Sequence, residues 1–187
     1  MNLNEVTIST ERLILRGVGL SDTESIFRYR SNPQIYEFQN WRPRTLQDVH
    51  DFIREKISKE INISDTWYQF GIIIKETNEL VGDFGVHFID PDNLQAEIGF
   101  TLSLEYQGKG YALEAAVSVI NYLFSNLKKH RIIASVDPRN VKSIALLDRI
   151  GMRKEAHFKK SIWFNEEWAD DMVYAVLKEE WINKAEI

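Results

Sequence analysis

Cysteine is absent from the 187 residues, which excludes a disulfide framework, a thiolate metal site and a cysteine nucleophile. Histidine is scarce, and the four present, His50, His87, His130 and His157, lack metal-ligand spacing, so no metal is expected. No stretch approaches the roughly 18 apolar residues of a membrane span. Met1 to Glu5 has neither the basic start nor the apolar run of a signal peptide, which points to a cytoplasmic protein with no membrane partner. Positive charge is also short. The balance of 23 Lys and Arg against 28 Asp and Glu gives −5, which argues against a nucleic-acid partner, since that needs clustered cations. The same sign mildly favours a cationic substrate such as an amine.

What is present suits one folded unit. With 44% hydrophobic residues, the chain is long enough for one well-buried domain, residues 1–187, and short for two. Leu13 to Leu15 reads as a strand ending near Gly17 and Gly19. Ser21 and Glu24 have the spacing of a capping box opening a helix toward Arg30, ended by Pro33. Thr45 precedes a helical pattern from Leu46 to Ile61. Between the two helices, Tyr36 to Pro43 is a loop rich in aromatics. Thr66 to Ile74 and Leu80 to Ile89 read as a hairpin, with a third strand from Leu94 to Ser103. A helix from Leu113 to Leu127, a strand from Arg131 to Val136 and a helix from Val141 to Ile150 stopped by Gly151 follow. Two strands around Asn165 and Glu166 close the chain. The order suits an α/β fold: a mixed, mostly antiparallel sheet flanked by helices on both faces.

Gln107-Gly108-Lys109-Gly110-Tyr111-Ala112 joins the third strand to the long helix. Two glycines permit a sharp turn, and free N–H groups with the positive end of the helix dipole make such a junction an anion site. A P-loop is excluded because Ser103 and Gly110 occupy positions that require Gly and Ser or Thr. A dinucleotide fingerprint is excluded by Leu113 in place of its third glycine. The remaining pattern, Q-x-x-G-x-A, resembles the pyrophosphate motif of the GNAT superfamily of acetyl-CoA-dependent N-acyltransferases, although alone it is equally an ordinary glycine turn.

Three further blocks extend the resemblance to the branch of ribosomal-protein N-terminal acetyltransferases, RimJ and RimL, together with Thr10 to Arg16 as its opening strand. They are Glu97 to Phe100; Asn140 to Ser143 with Leu146, Gly151 and Met152; and Trp168 to Asp170 with Val173, Tyr174, Glu180 and Trp181. The resemblance implies the GNAT acyl-CoA N-acyltransferase fold, acetyl-CoA as co-substrate and direct attack by an amine. The acceptor it implies is a protein or peptide N-terminal α-amine; the alternatives are a polyamine or aminoglycoside-like small amine, or a catalytically silent acyl-CoA-binding module. Monomer and homodimer are equally open.

By the same resemblance, Gln107, Gly108, Lys109, Gly110, Tyr111 and Ala112 hold the pyrophosphate. Phe100, Thr101 and Leu102 lie on a strand splayed from its neighbour to receive the pantetheine arm; a fully paired strand is the alternative. Asn140 and Ser143 fall near the pantetheine and sulfur, with Asn140 also suited to cap its helix. The tyrosine that many members use to protonate the leaving thiolate is replaced by Leu147, leaving Ser143 as the candidate acid. Glu97 is the candidate base: in a period-two strand it shares a face with Gly99 and Thr101, and Gly99 leaves room for a ligand. An exposed strand glutamate is its alternative. Phe38 and Trp41 are placed over the acceptor, or else cover a helix pair. Asp170 reads as structural, and His87 as a hydrogen-bonded core residue.

Overall fold

The computed structural model describes residues 6–39, 41–89, 91–164 and 166–185. Eight strands, β1 (Thr7–Ser9), β2 (Leu13–Gly17), β3 (Thr66–Ile74), β4 (Glu79–Phe88), β5 (Gln95–Leu102), β6 (Arg131–Val136), β7 (Arg153–Phe164) and β8 (Glu167–Leu177), form one sheet in the order β1-β2-β3-β4-β5-β6-β8-β7. Every neighbouring pair is antiparallel except β5 and β6. That parallel step requires a crossover, supplied by the helix α4 (Tyr111–Ser125).

Strand periodicity divides the sheet residues between two cores. Leu13, Leu15, Phe70, Ile72, Val86 and Ile98 pack on one side with Ala116, Ile120 and Leu123 of α4 and Leu147 of α5 (Val141–Ile150). Ile14, Ile73 and Leu80 face the other side, against Ile26 and Tyr29 of α1 (Thr23–Arg30) and Val49 of α3 (Leu46–Asp51). Helices therefore flank both faces, as the alternation demands. Phe70, Phe84 and Phe88 are wholly buried, each contributing about 1.5–3 kcal/mol of hydrophobic stabilisation.

Several boundaries differ from the sequence reading. Pro33 opens a short helix, α2 (Pro33–Tyr36), instead of ending one, because proline is favoured in the first turn and the Asn32 side chain caps it by accepting from Gln34 N–H at 3.0 Å. The Ser21 and Glu24 box does not form. Helix α1 starts at Thr23, after a 3-10 turn over Leu20–Asp22, and it is the Asp22 carboxylate that reaches back to the Gly19 N–H at 2.8 Å. The helix expected over 46–61 is capped by Thr45, but gives way to a π-turn over Phe52–Lys56 and ends at the extended Ile57. β1 and a closing helix α6 (Lys178–Ala185) were not foreseen. Asn165, read as a turn residue, and Met1 to Glu5 lie outside the described residues. Among the described residues no helix is long and apolar enough to cross a membrane.

Candidate active site

β5 and β6 pair only at Gln95–Arg131, Ala96–Ile132 and Glu97–Ile133. Beyond Glu97 they diverge, and among the described residues the edge of β5 from Ile98 to Leu102 has no strand partner on that side, although β4 still pairs with its other edge. The fully paired alternative is thus excluded, and the sheet opens into a fork. Two clefts meet there. One, of about 590 Å³, is lined by Glu97, Gly99, Trp41, Trp67, Asp171 and neighbours; the other, of about 780 Å³, runs along the turn at Gln107–Ala112. Phe38, Gln39, Phe100, Thr101, Asn140 and Ser143 line both.

The turn at Gln107–Ala112 is held in a left-handed bend with its surface open to the second cleft. Gly108 and Gly110 have φ of 75° and 84°, which disfavours any residue with a Cβ. A Cβ at Gly108 would meet nothing within 4 Å and would stand in open space. Tyr111 and Ala112 begin α4, so their N–H groups have no intrahelical acceptor. Strand-side residues brace this bend from the far side: Arg12 donates to the Lys109 carbonyl at 3.0 Å and to Glu114 at 2.6 Å, while the Thr10 hydroxyl donates to Glu114 at 2.5 Å. Burial works against ionisation of Glu114, yet these hydrogen bonds hold its carboxyl below the usual range. Gln107 ties the bend to the fork, its amide donating to the Leu102 carbonyl at 3.0 Å. Lys109, Lys142 and Arg149 lie around this cleft, and Lys142 donates to Gln107 Oε1 at 3.2 Å.

The first cleft has acidic walls. Glu97 sits at the fork, where burial pushes its carboxyl above the ordinary range; His87 opposes that shift and Asp171 adds to it. Asp171 accepts from the Ser135 hydroxyl at 2.6 Å. Asp137 is paired with Arg139, and Asp170 with Lys159, His157 and the Lys160 N–H. Behind the cleft, Asp83 is buried and accepts from Arg30 Nε at 2.8 Å, from Gln69 at 2.5 Å and from the Tyr29 hydroxyl. Burial and the neighbouring carboxylate push the Tyr29 phenol well up.

The structure brings the sequence candidates together around the fork. Glu97, Gly99 and Thr101 line the first cleft, as do Ile98 and Phe100 between them, and a Cβ at Gly99 would meet nothing within 4 Å. Asn140 caps α5, accepting from the Ser143 N–H at 3.1 Å. Ser143 lies one turn before Leu147, whose buried side chain also borders the first cleft. Trp41 stacks on Phe52 at 4.2 Å, with the Arg30 guanidinium 5.2 Å from its ring, and it lines the first cleft. Asp170 lines the cleft while holding the β7 bulge through Lys160. Sequence reasoning missed Arg12 and Glu114 as a brace, Asp171 in the wall of the first cleft, and the contact of His87 with Glu97. Only strand register reveals the last, because His87 and Glu97 are direct partners across β4 and β5.

Comparison with known proteins agrees with this geometry. Residues 12–153 match the family model described as the acetyltransferase (GNAT) domain, and the chain belongs to that family of N-acetyltransferases. The uncharacterized N-acetyltransferase p20 of Bacillus licheniformis is 34% identical over 176 residues, covering 94% of this chain and 98% of p20. The alanine N-acetyltransferase of ribosomal protein uS5 from Escherichia coli is 25% identical over 186 residues, covering 96% and 95%. The crystal structure of a GNAT-family acetyltransferase from Bacillus anthracis superposes with a TM-score of 0.83 at 34% identity, covering 94% of this chain and all of that one. Acetyltransferases of this family draw their acetyl group from acetyl-CoA.

Proposed function

We propose that this acetyltransferase acetylates the N-terminal α-amine of a protein or peptide, with Glu97 as the base. The observation carrying the reading is the divergence of β5 from β6 immediately after Glu97, which sets that carboxylate in an acidic cleft sharing walls with a second cleft along the Gln107–Ala112 turn. The Gly108 to Ala112 N–H groups and the α4 dipole would hold the diphosphate. The free edge of Phe100, Thr101 and Leu102 would align the pantetheine arm, and acetyl-CoA supplies the activated thioester. Asn140 fixes the start of α5, and thereby Ser143, beside the junction of the clefts. Ser143 is the hydroxyl offered to the departing thiolate in the absence of a tyrosine at Leu147.

The acceptor cleft selects for positive charge with an apolar neighbour. Glu97 and Asp171 face it, and Phe38, Trp41 and Trp67 supply apolar wall. An α-amine titrates near about 8 and a lysine amine near about 10.4, so one modestly raised carboxylate can free the first far more readily than the second. The uS5 alanine N-acetyltransferase relative supports a protein N-terminus as acceptor. A panel read by release of free CoA thiol tests this: a peptide with a free N-terminus and no lysine is the expected substrate. Turnover only with an N-blocked, lysine-containing peptide or with a polyamine would overturn it.

A further inference from the structure

We propose that His87 carries the proton collected by Glu97 out of the cleft to solvent beside Asp65, making the pair a relay and His87 a positioning and proton-transfer residue. The inference rests on the reading of Glu97 as the base. Trp67, His87 and Glu97 occupy directly paired positions on β3, β4 and β5, so their side chains form a row on one face of the sheet. The imidazole lies flat on the Trp67 ring, 4.8 Å between centroids and 7° between planes. One ring nitrogen, Nδ1, is 3.7 Å from Glu97 Oε2; the other, Nε2, is 3.8 Å from Asp65 Oδ1. The side chain thus bridges a carboxylate in the cleft and one that is 96% exposed. Both gaps exceed a hydrogen bond and can close by small rotations or through one water, as catalytic contacts commonly do when substrate fills a site.

A relay answers a need that the geometry creates. Glu97 reaches solvent only partly, and the cleft through which it does so is where acceptor and thioester would lie. With both in place, a proton taken up by Glu97 has its outlet on the His87 side. The charged groups around the pair are Asp65 from the loop before β3, Glu97 from β5 and Asp171 from β8, with Lys56, Arg30, Asp137 and Asp170 also lining the cleft.

The proton count closes. An N–H bond of the acceptor ammonium breaks as a carboxyl O–H forms on Glu97. That O–H breaks as Nδ1–H forms on His87, and the Nε2 proton passes to water beside Asp65; once product and CoA have left, water entering the cleft takes the Nδ1 proton while Nε2 regains one from solvent, which restores the starting tautomer with no net change. The amine, now neutral, forms the C–N bond as the C–S bond breaks, and its second proton goes to the departing thiolate. One proton reaches solvent per turnover.

The test uses the intact chain with His87→Ala, His87→Gln and Glu97→Gln. The turnover number of His87→Ala should fall about tenfold or more near pH 6.5, converge on the unaltered value near pH 9, and recover when imidazole is added, with KM for acetyl-CoA unchanged, within the range of general-base effects. His87→Gln, which keeps the packing, should show the same loss without rescue. Independently of the pH profile, His87→Ala made in the Glu97→Gln background should cost no further rate, since no proton is then collected for export. A loss equal at all pH values and insensitive to imidazole, no loss at all, or a full further loss in the Glu97→Gln background would overturn the relay. Glu97→Gln with an undiminished rate would instead remove the base assignment, and the relay with it.

Discussion

Replacing Gly108 or Gly110 with alanine separates the folding role of the turn from its ligand role. Both residues sit in the left-handed region, where an L side chain costs about 1–2 kcal/mol, offset by roughly 0.4–1 kcal/mol because the unfolded chain loses freedom when glycine is replaced. Gly108→Ala adds its Cβ to open space, so its net destabilisation should stay near 1 kcal/mol, a Tm decrease of about 2–4 °C. Gly110→Ala should cost more. Its Cβ would lie 3.2 Å from Arg12 Nη2, and that guanidinium cannot yield freely while its other nitrogens hold the Lys109 carbonyl and Glu114. For ligand affinity the order should reverse: both glycines line the cleft, but a Cβ at Gly108 would stand in open space, whereas one at Gly110 would point at Arg12. Disturbing even one charge-assisted hydrogen bond to a diphosphate costs about 1.5–3 kcal/mol, which is roughly 10- to 150-fold in Kd. Calorimetric titration with CoA alongside thermal melts measures both. If Gly108→Ala binds CoA within twofold of the unaltered protein while showing the expected melting shift, the turn does not hold the diphosphate.

The buried Asp83 cluster makes a prediction of stability. Asp83→Asn should destabilise the fold by about 3–5 kcal/mol, because it leaves the enclosed Arg30 guanidinium without its counter-charge. The double change Asp83→Asn with Arg30→Met should recover part of that loss in chemical denaturation, since the unpaired charge is then gone. A single variant as stable as the unaltered protein would show that water reaches Arg30.

Sequence reading succeeded where local residue types decide the outcome. The β-branched and aromatic run of Thr66–Ile74, the strand-like segment Arg131–Val136 and the glycine stop after Val141–Ile150 have boundaries matching the structure. It failed where a competing local rule intervened. Ile57 and Ile61 continue the apolar spacing of α3, yet the helix loosens into a π-turn at Phe52, whose ring is stacked on Trp41. The candidate site shows the same division. Gln107 to Ala112 was legible because glycine marks a backbone need. The fork was open to two readings, since the residues from Ile98 to Leu102 spell a strand whether or not a neighbour pairs with them. The brace between Arg12 and Glu114 joins positions 102 residues apart, and no local pattern announces it.

The most direct test of the account is the pH profile of acetyl transfer to a free α-amine, compared between the unaltered chain and Glu97→Gln. Glu97 must be ionised to take the proton, and its carboxyl titrates above the usual range, so the unaltered rate should fall as pH drops through that raised value. Glu97→Gln should lose on the order of 100-fold near neutrality and approach the unaltered rate at alkaline pH, where the amine needs no base. A deficit of the same size at every pH would contradict the assignment and leave the carboxylate as a residue that only orients the acceptor.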